Sequence, residues 1–128
     1  MGKTRILLVD DHAVFRQSLK GVLESLARCY TEVVGEAEDG ETALVMAREL
    51  RPEVVIMDIG LPGMDGIEAT RVLKREKAQA RVVILTVRDE QAYREAAREA
   101  GAVAYVTKEK VVPDLLGVVR GLVGQEAP

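Results

Sequence analysis

The chain has 128 residues, 48% of them hydrophobic and 30% charged, with a net charge of −3 and one cysteine. That length holds one domain able to bury roughly two thirds of its unfolded surface, and the composition excludes a disordered chain and a disulfide framework. The balance of charge gives no electrostatic reason to bind nucleic acid, and every apolar run is far too short to span a membrane.

Five apolar runs, Ile6–Val9, Val33–Val34, Val54–Met57, Val82–Val87 and Ala102–Val106, predict five strands. They are short and rich in Val, Ile and Leu, and several are nearly continuous, as for parallel strands covered on both faces. Amphipathic segments lie between them. Phe15, Leu19, Val22, Leu23 and Leu26 share one helical face, Ala43, Leu44, Ala47 and Leu50 a second, and Ile67, Thr70 and Leu73 a third. Glu90 to Ala100 reads as a helix with a thin, alanine-rich apolar side, ended by Gly101. A last helix starting near Pro113 carries Leu115, Leu116, Val119 and Leu122, and is weakened by Gly117 and Gly121.

The pattern is (βα) repeated five times, which predicts an α/β fold: a parallel five-stranded sheet in a doubly wound three-layer sandwich. The sequence contains no internal repeat and no internal linker. Residues 1–128 read as a single domain with a core over about 4–122. The tail 123–128 is expected to fray or to begin a linker. The opening MGKTRILLVDD has no long apolar segment and no small-residue cleavage site, so a cytoplasmic location is expected.

Open parallel sheets bind ligands beyond the carboxyl ends of their strands. The predicted strands end in Asp10-Asp11, Asp58, Thr86 and Thr107-Lys108. Strand formation does not require this set. Two unit charges about 4 Å apart repel by about 4 kcal/mol at an effective dielectric of about 20, so clustered carboxylates call for protonation or a cation. Oxygen donors without clustered His or Cys favour Mg²⁺ before Ca²⁺ or Mn²⁺. A lysine and a threonine beside such an ion suit phosphoryl oxygens. One carboxylate is then free to act as nucleophile, and position favours Asp58, with the Gly60 carbonyl close by.

ILLVDDH, VVIMDIGLPGMDG, VVILTV and AYVTK, in this order and spacing, resemble the receiver domain of two-component response regulators over about Thr4 to Leu122. VDDHAVFRQSL, VVGEAEDGETAL and DGIEATRVLK are similar to receivers that precede a LuxR-type helix-turn-helix output domain. The resemblance implies the flavodoxin-like strand order 2-1-3-4-5. It implies that Asp58 is the phosphoacceptor, that Asp11 ligates Mg²⁺ directly and Asp10 through water, and that the Gly60 carbonyl is a further ligand. Thr86 corresponds to the switch hydroxyl, Lys108 to the phosphate-binding lysine, and Tyr105 to the aromatic that moves with Thr86. That movement remodels the face of the fourth helix, fifth strand and fifth helix.

The implied function is a phosphorylation-activated switch rather than a metabolic enzyme, catalysing only its own phosphorylation and dephosphorylation. Its implied partners are a sensor histidine kinase and its own C-terminal DNA-binding domain in a longer chain, with a phosphorylation-dependent homodimer left open. Direct contact of this chain with nucleic acid or membrane is not implied. Three features depart from the family pattern: Glu109 follows Lys108 where proline is common, Val87 follows Thr86 where a smaller residue is common, and Gly60 occupies a position often holding a side chain. With Arg88 two residues past Thr86, they predict an unusual phosphate lifetime.

Each site residue also has a plainer reading. Asp58 can simply end a strand, Asp10 and Asp11 can cap a helix, and most lysines are solvated. His12 reads as a neighbour of the site or a surface residue, Cys29 as a small apolar residue without a redox role, and Arg94, Glu95, Arg98 and Glu99 as a solvated helix face. Pro62-Gly63 and Asp65-Gly66 read as turns. Two rival functions follow from the same carboxylates. A Mg²⁺-dependent phosphatase with an aspartyl nucleophile lacks a cap segment and a second acid two residues after Asp58, and an adaptor that no longer takes phosphate has no reason to keep all five side chains.

Overall fold

The computed structural model describes residues 2–110 and 114–125. Its strands are β1 (Thr4–Val9), β2 (Thr31–Ala37), β3 (Val54–Met57), β4 (Arg81–Thr86) and β5 (Ala104–Thr107). All neighbours run parallel, in the order β2-β1-β3-β4-β5. This is the expected flavodoxin-like arrangement. The helices are α1 (Ala13–Leu26), α2 (Gly40–Leu50), α3 (Gly66–Arg75), α4 (Gln91–Ala100) and α5 (Leu116–Gln125). Pro113, the expected start of the last helix, lies outside the described residues.

The alternation of side chains along each strand separates two cores. Leu7, Val9, Val55, Met57, Val82 and Ile84 pack with Leu44, Ala47, Ile67, Leu73 and Ala97 of α2, α3 and α4. Ile6, Leu8, Val54, Ile56, Val83 and Leu85 pack with Leu19, Leu23, Leu115, Val119 and Leu122 on the side of α1 and α5. Both sheet faces are therefore covered, which is why the central strands carry apolar residues at consecutive positions. β2 is longer than its Val33–Val34 signal because it is an edge strand, half-buried through its middle.

Polar side chains start two of the helices. Asp39 accepts from the Thr42 N–H at 2.7 Å ahead of α2, and Asp65 accepts from the Glu68 N–H at 2.8 Å ahead of α3. Asp65-Gly66 is thus a helix start as well as a turn. Gly101 ends α4 at φ 115°, a conformation that glycine adopts without a Cβ penalty. No helix among the described residues is long and apolar enough to cross a membrane.

One sequence expectation needs correction. The buried stripe of α1 is Arg16, Leu19 and Leu23, while Leu26 is 61% exposed. Leu19 and Leu23, with Phe15 packed beside them, keep the expected face, and Arg16 joins it. Cys29 is a free, exposed cysteine.

Candidate functional site

The sheet's hydrogen bonding carries the site residues to one edge. Val9 pairs with Met57, so Asp10 and Asp58 each follow at the same level of adjacent strands. The Asp58 N–H donates to the Val9 carbonyl at 3.0 Å, and the Asp10 N–H donates to the Ala37 carbonyl at 3.0 Å. Thr86 pairs with Thr107, which places Lys108 one residue beyond the end of β4. The residues expected at strand ends therefore lie along one edge of the sheet.

Lys108 joins two of the acids. Its Nζ lies 2.8 Å from Asp10 Oδ2 and 3.1 Å from Asp58 Oδ2, and its side chain is only 10% exposed. The ammonium also sits 4.3 Å above the centre of the Phe15 ring. Burial pulls the Lys108 pKa down, but the hydrogen bonds and charges of Asp10 and Asp58 outweigh it, and the pKa ends above the ordinary lysine value. The amine is therefore charged throughout the neutral range. It is not one of the solvated lysines.

Asp10, Asp11, His12 and Asp58 offer ligand atoms that all lie within 4.8 Å of one another. Asp10 and Asp58 are buried, while Asp11 and His12 are exposed. Charge-bearing oxygens at this spacing fit a hard divalent cation, so the donor set is compatible with Mg²⁺. Gly60 lies on the exposed rim, with its N–H 3.4 Å from Asp58 Oδ1. A Cβ there would meet nothing within 4 Å, so the space beside Asp58 is open.

Thr86 is 1% exposed, and its Oγ1 accepts from the Arg88 N–H at 3.4 Å. Tyr105 donates from its hydroxyl to the Arg88 carbonyl at 2.8 Å. Arg94 covers the Tyr105 ring at 4.7 Å and pairs with Asp89 at 2.6 Å. Arg94 is therefore engaged on both sides, while Glu95, Arg98 and Glu99 are exposed, as expected of a solvated face. Burial raises the Tyr105 pKa above the ordinary tyrosine value, although the Arg94 charge works against it.

The sequence pattern that defines the response regulator receiver domain matches residues 6–120. This chain belongs to that family. It is 38% identical over 116 residues to the response regulator GacA of Pseudomonas aeruginosa, covering 91% of this chain and 53% of that one. It is 39% identical to the transcriptional regulatory protein LiaR of Bacillus subtilis, with 91% and 54% covered. The receiver thus spans about half the length of these relatives. Among solved structures, a LuxR-family two-component response regulator from Aurantimonas sp. superposes with a TM-score of 0.89 at 37% identity, covering 97% of this chain and 87% of that one. The receiver domain of the response regulator NarL from Mycobacterium tuberculosis gives 0.90 at 28% identity, covering 97% and 98%. The resemblance to receivers that precede a LuxR-type output domain is borne out, and the receiver is a regulatory domain of a two-component system.

Two further residues hold this receiver's site, Arg16, which sequence reasoning missed, and Gly66, which it read as part of a turn. Arg16 is buried under the acidic cluster, donating from Nη1 to the Asp10 carbonyl at 2.6 Å and from Nε to Glu36 Oε1 at 2.8 Å. Its signal is its place on the stripe with Leu19 and Leu23. Gly66, the first residue of α3, presses its Cα against the main-chain carbonyl of Asp58, where a Cβ would collide. Nothing in the sequence beyond a turn-like Asp-Gly pair marks this contact.

Proposed function

We propose that Asp58 accepts a phosphoryl group from a phosphohistidine of a sensor histidine kinase, and that the acyl phosphate switches an output. The observation that carries this reading is the Lys108 ammonium between Asp10 and Asp58, at 2.8 and 3.1 Å, beside the Asp11 carboxylate. An oxygen of the Asp58 carboxylate attacks phosphorus, the N–P bond to the donor imidazole breaks, and the imidazole leaves with the bonding pair. Lys108 stays charged and faces the oxygens on which negative charge accumulates.

Asp10, Asp11, Asp58 and the Gly60 carbonyl hold Mg²⁺ in this reading, and the bound ion supplies charge neutralisation for phosphoryl transfer. Thr86 approaches the new phosphoryl group through its hydroxyl, exchanging the Arg88 N–H for a phosphate oxygen. Tyr105 follows, giving up its bond to the Arg88 carbonyl and its cover by Arg94. The face of α4, β5 and α5 changes with it. Hydrolysis of the acyl phosphate by water, entering through the open space at Gly60, resets the switch.

Longer relatives, of which the match spans about half, are named transcriptional regulatory proteins, which supports an output through a C-terminal DNA-binding domain in a longer protein. Residues 1–128 are then one receiver domain in a cytoplasmic regulator, and a phosphorylation-dependent homodimer fits the same role. The chain itself contacts neither nucleic acid nor membrane in this reading.

Incubation with a small phosphodonor and Mg²⁺, followed by intact-mass measurement, tests the proposal. One phosphoryl mass gain is expected, lost in Asp58→Asn. No gain, or a gain that survives Asp58→Asn, defeats it.

A further inference from the structure

His12 is left without a task by the phosphoacceptor reading, although it stands among the acids. It precedes α1 at the N-cap position but makes no side-chain cap hydrogen bond. Instead its N–H donates to Asp10 Oδ1 at 2.8 Å, an arrangement that accompanies a ring turned back over the acidic cluster. Its Nδ1 lies 3.2 Å from Asp10 Oδ1, 3.3 Å from Asp11 Oδ1 and 4.0 Å from Asp58 Oδ2.

Those separations match a coordination shell. Around an octahedral divalent ion with bonds of about 2.1 Å, adjacent ligand atoms are about 3.0 Å apart and opposite ones about 4.2 Å. His12 Nδ1 stands near the adjacent-ligand spacing from Asp10 Oδ1 and Asp11 Oδ1, two oxygens that Lys108 does not take. The division of oxygens agrees. Lys108 takes Oδ2 of Asp10 and Oδ2 of Asp58, while Asp10 Oδ1 and Asp11 Oδ1 face the imidazole. The ring is 66% exposed, so an ion reaches it directly from solvent.

We propose that His12 Nδ1 is a metal ligand, and that it biases this receiver's site toward borderline first-row ions such as Mn²⁺, Co²⁺ or Zn²⁺ over Mg²⁺. The proposal rests on the metal-site reading above. Carboxylate oxygens accept either kind of ion, whereas imidazole nitrogen suits the borderline ones and gives Mg²⁺ little. The imidazole is therefore the discriminating donor in an otherwise oxygen-rich site. A ring that only hydrogen-bonds the carboxylates would produce no such preference.

Pulsed EPR of the Mn²⁺-loaded protein is expected to show the coupling of a directly bound imidazole nitrogen, absent in His12→Gln. By calorimetry, the ratio of Mg²⁺ to Co²⁺ dissociation constants is expected to fall about tenfold in His12→Gln, equivalent to about 1.4 kcal/mol. No nitrogen coupling in the parent, or the same ratio in both proteins, overturns the proposal. The parent's own Mg²⁺ titration separates the two readings. Parent protein that binds Mg²⁺ but shows no nitrogen coupling removes only the role of His12, while parent protein that binds neither ion removes the metal site with it.

Discussion

Arg16 ties the main chain of Asp10 to the side chain of Glu36, with hydrogen bonds of 2.6 and 2.8 Å from one guanidinium. Glu36 also accepts from Gln17 at 2.8 Å and pairs with Lys20 at 3.4 Å, so α1 is fastened to β2 directly beneath the acidic cluster. Arg16→Met leaves Glu36 without its main partner and the Asp10 carbonyl without its donor. Urea unfolding is expected to show a loss of about 3 kcal/mol. Arg16→Lys is expected to recover only part of it, because an ammonium cannot bridge two acceptors with a planar fork.

Glu36 gives stability a dependence on pH. Burial pushes its pKa up, but Arg16 and Lys20 pull harder and leave it below the ordinary glutamate value. The carboxylate is therefore favoured by folding. Its contribution is complete above the ordinary value and is lost as pH falls through the lowered one. Urea titrations between about pH 7 and pH 3 are expected to show this acid-limb loss, and Glu36→Gln is expected to flatten it. An unchanged slope in the variant would assign the loss to other carboxylates.

Lys108 neutralises two of the carboxylates that a cation would contact. Lys108→Met is expected to abolish phosphorylation of Asp58 by a small donor. It is also expected to raise Mg²⁺ affinity by about threefold or more, because an ammonium about 3 Å from two carboxylates competes with the ion. Calorimetry with Mg²⁺ reads the second effect without any phosphodonor. A fall in affinity would mean that Lys108 orders the carboxylates more than it competes for them.

Gly66 and Gly60 flank Asp58 and predict opposite outcomes. Gly66→Ala places a methyl group against the Asp58 carbonyl and is expected to cost about 2 kcal/mol in thermal unfolding. Gly60→Ala enters open space at a backbone angle any residue adopts, and is expected to stay within about 0.5 kcal/mol of the parent. Equal losses in the two variants would remove the close-contact explanation.

Strand ends were readable because the strands are. Ile6–Val9 and Val54–Met57 are unbroken apolar runs that stop at acids, and parallel pairing sets those acids at one level. Lys108 was the least readable of the set, since a lysine after a strand carries no sign of being buried. Its surroundings come from Phe15, Asp10 and Asp58, each 50 or more residues away in sequence, and no local pattern links them. Arg16 was hidden for a related reason. A charged residue on an apolar stripe reads as a flaw until its partners, Asp10 and Glu36, are known.

What the sequence determined by itself was the (βα) alternation, the two-sided burial of the strands and the identity of the residues at their carboxyl ends, because periodicity and strand length are local properties of the chain. What only the tertiary structure decided was the company those residues keep. The span from Lys108 to Asp58, the carbonyl that Arg16 holds, the backbone Gly66 leans on and the imidazole turned over the acids all depend on segments far apart in sequence. Such contacts follow from the register of the sheet and the packing of the helices, and so exist only once the whole chain has folded.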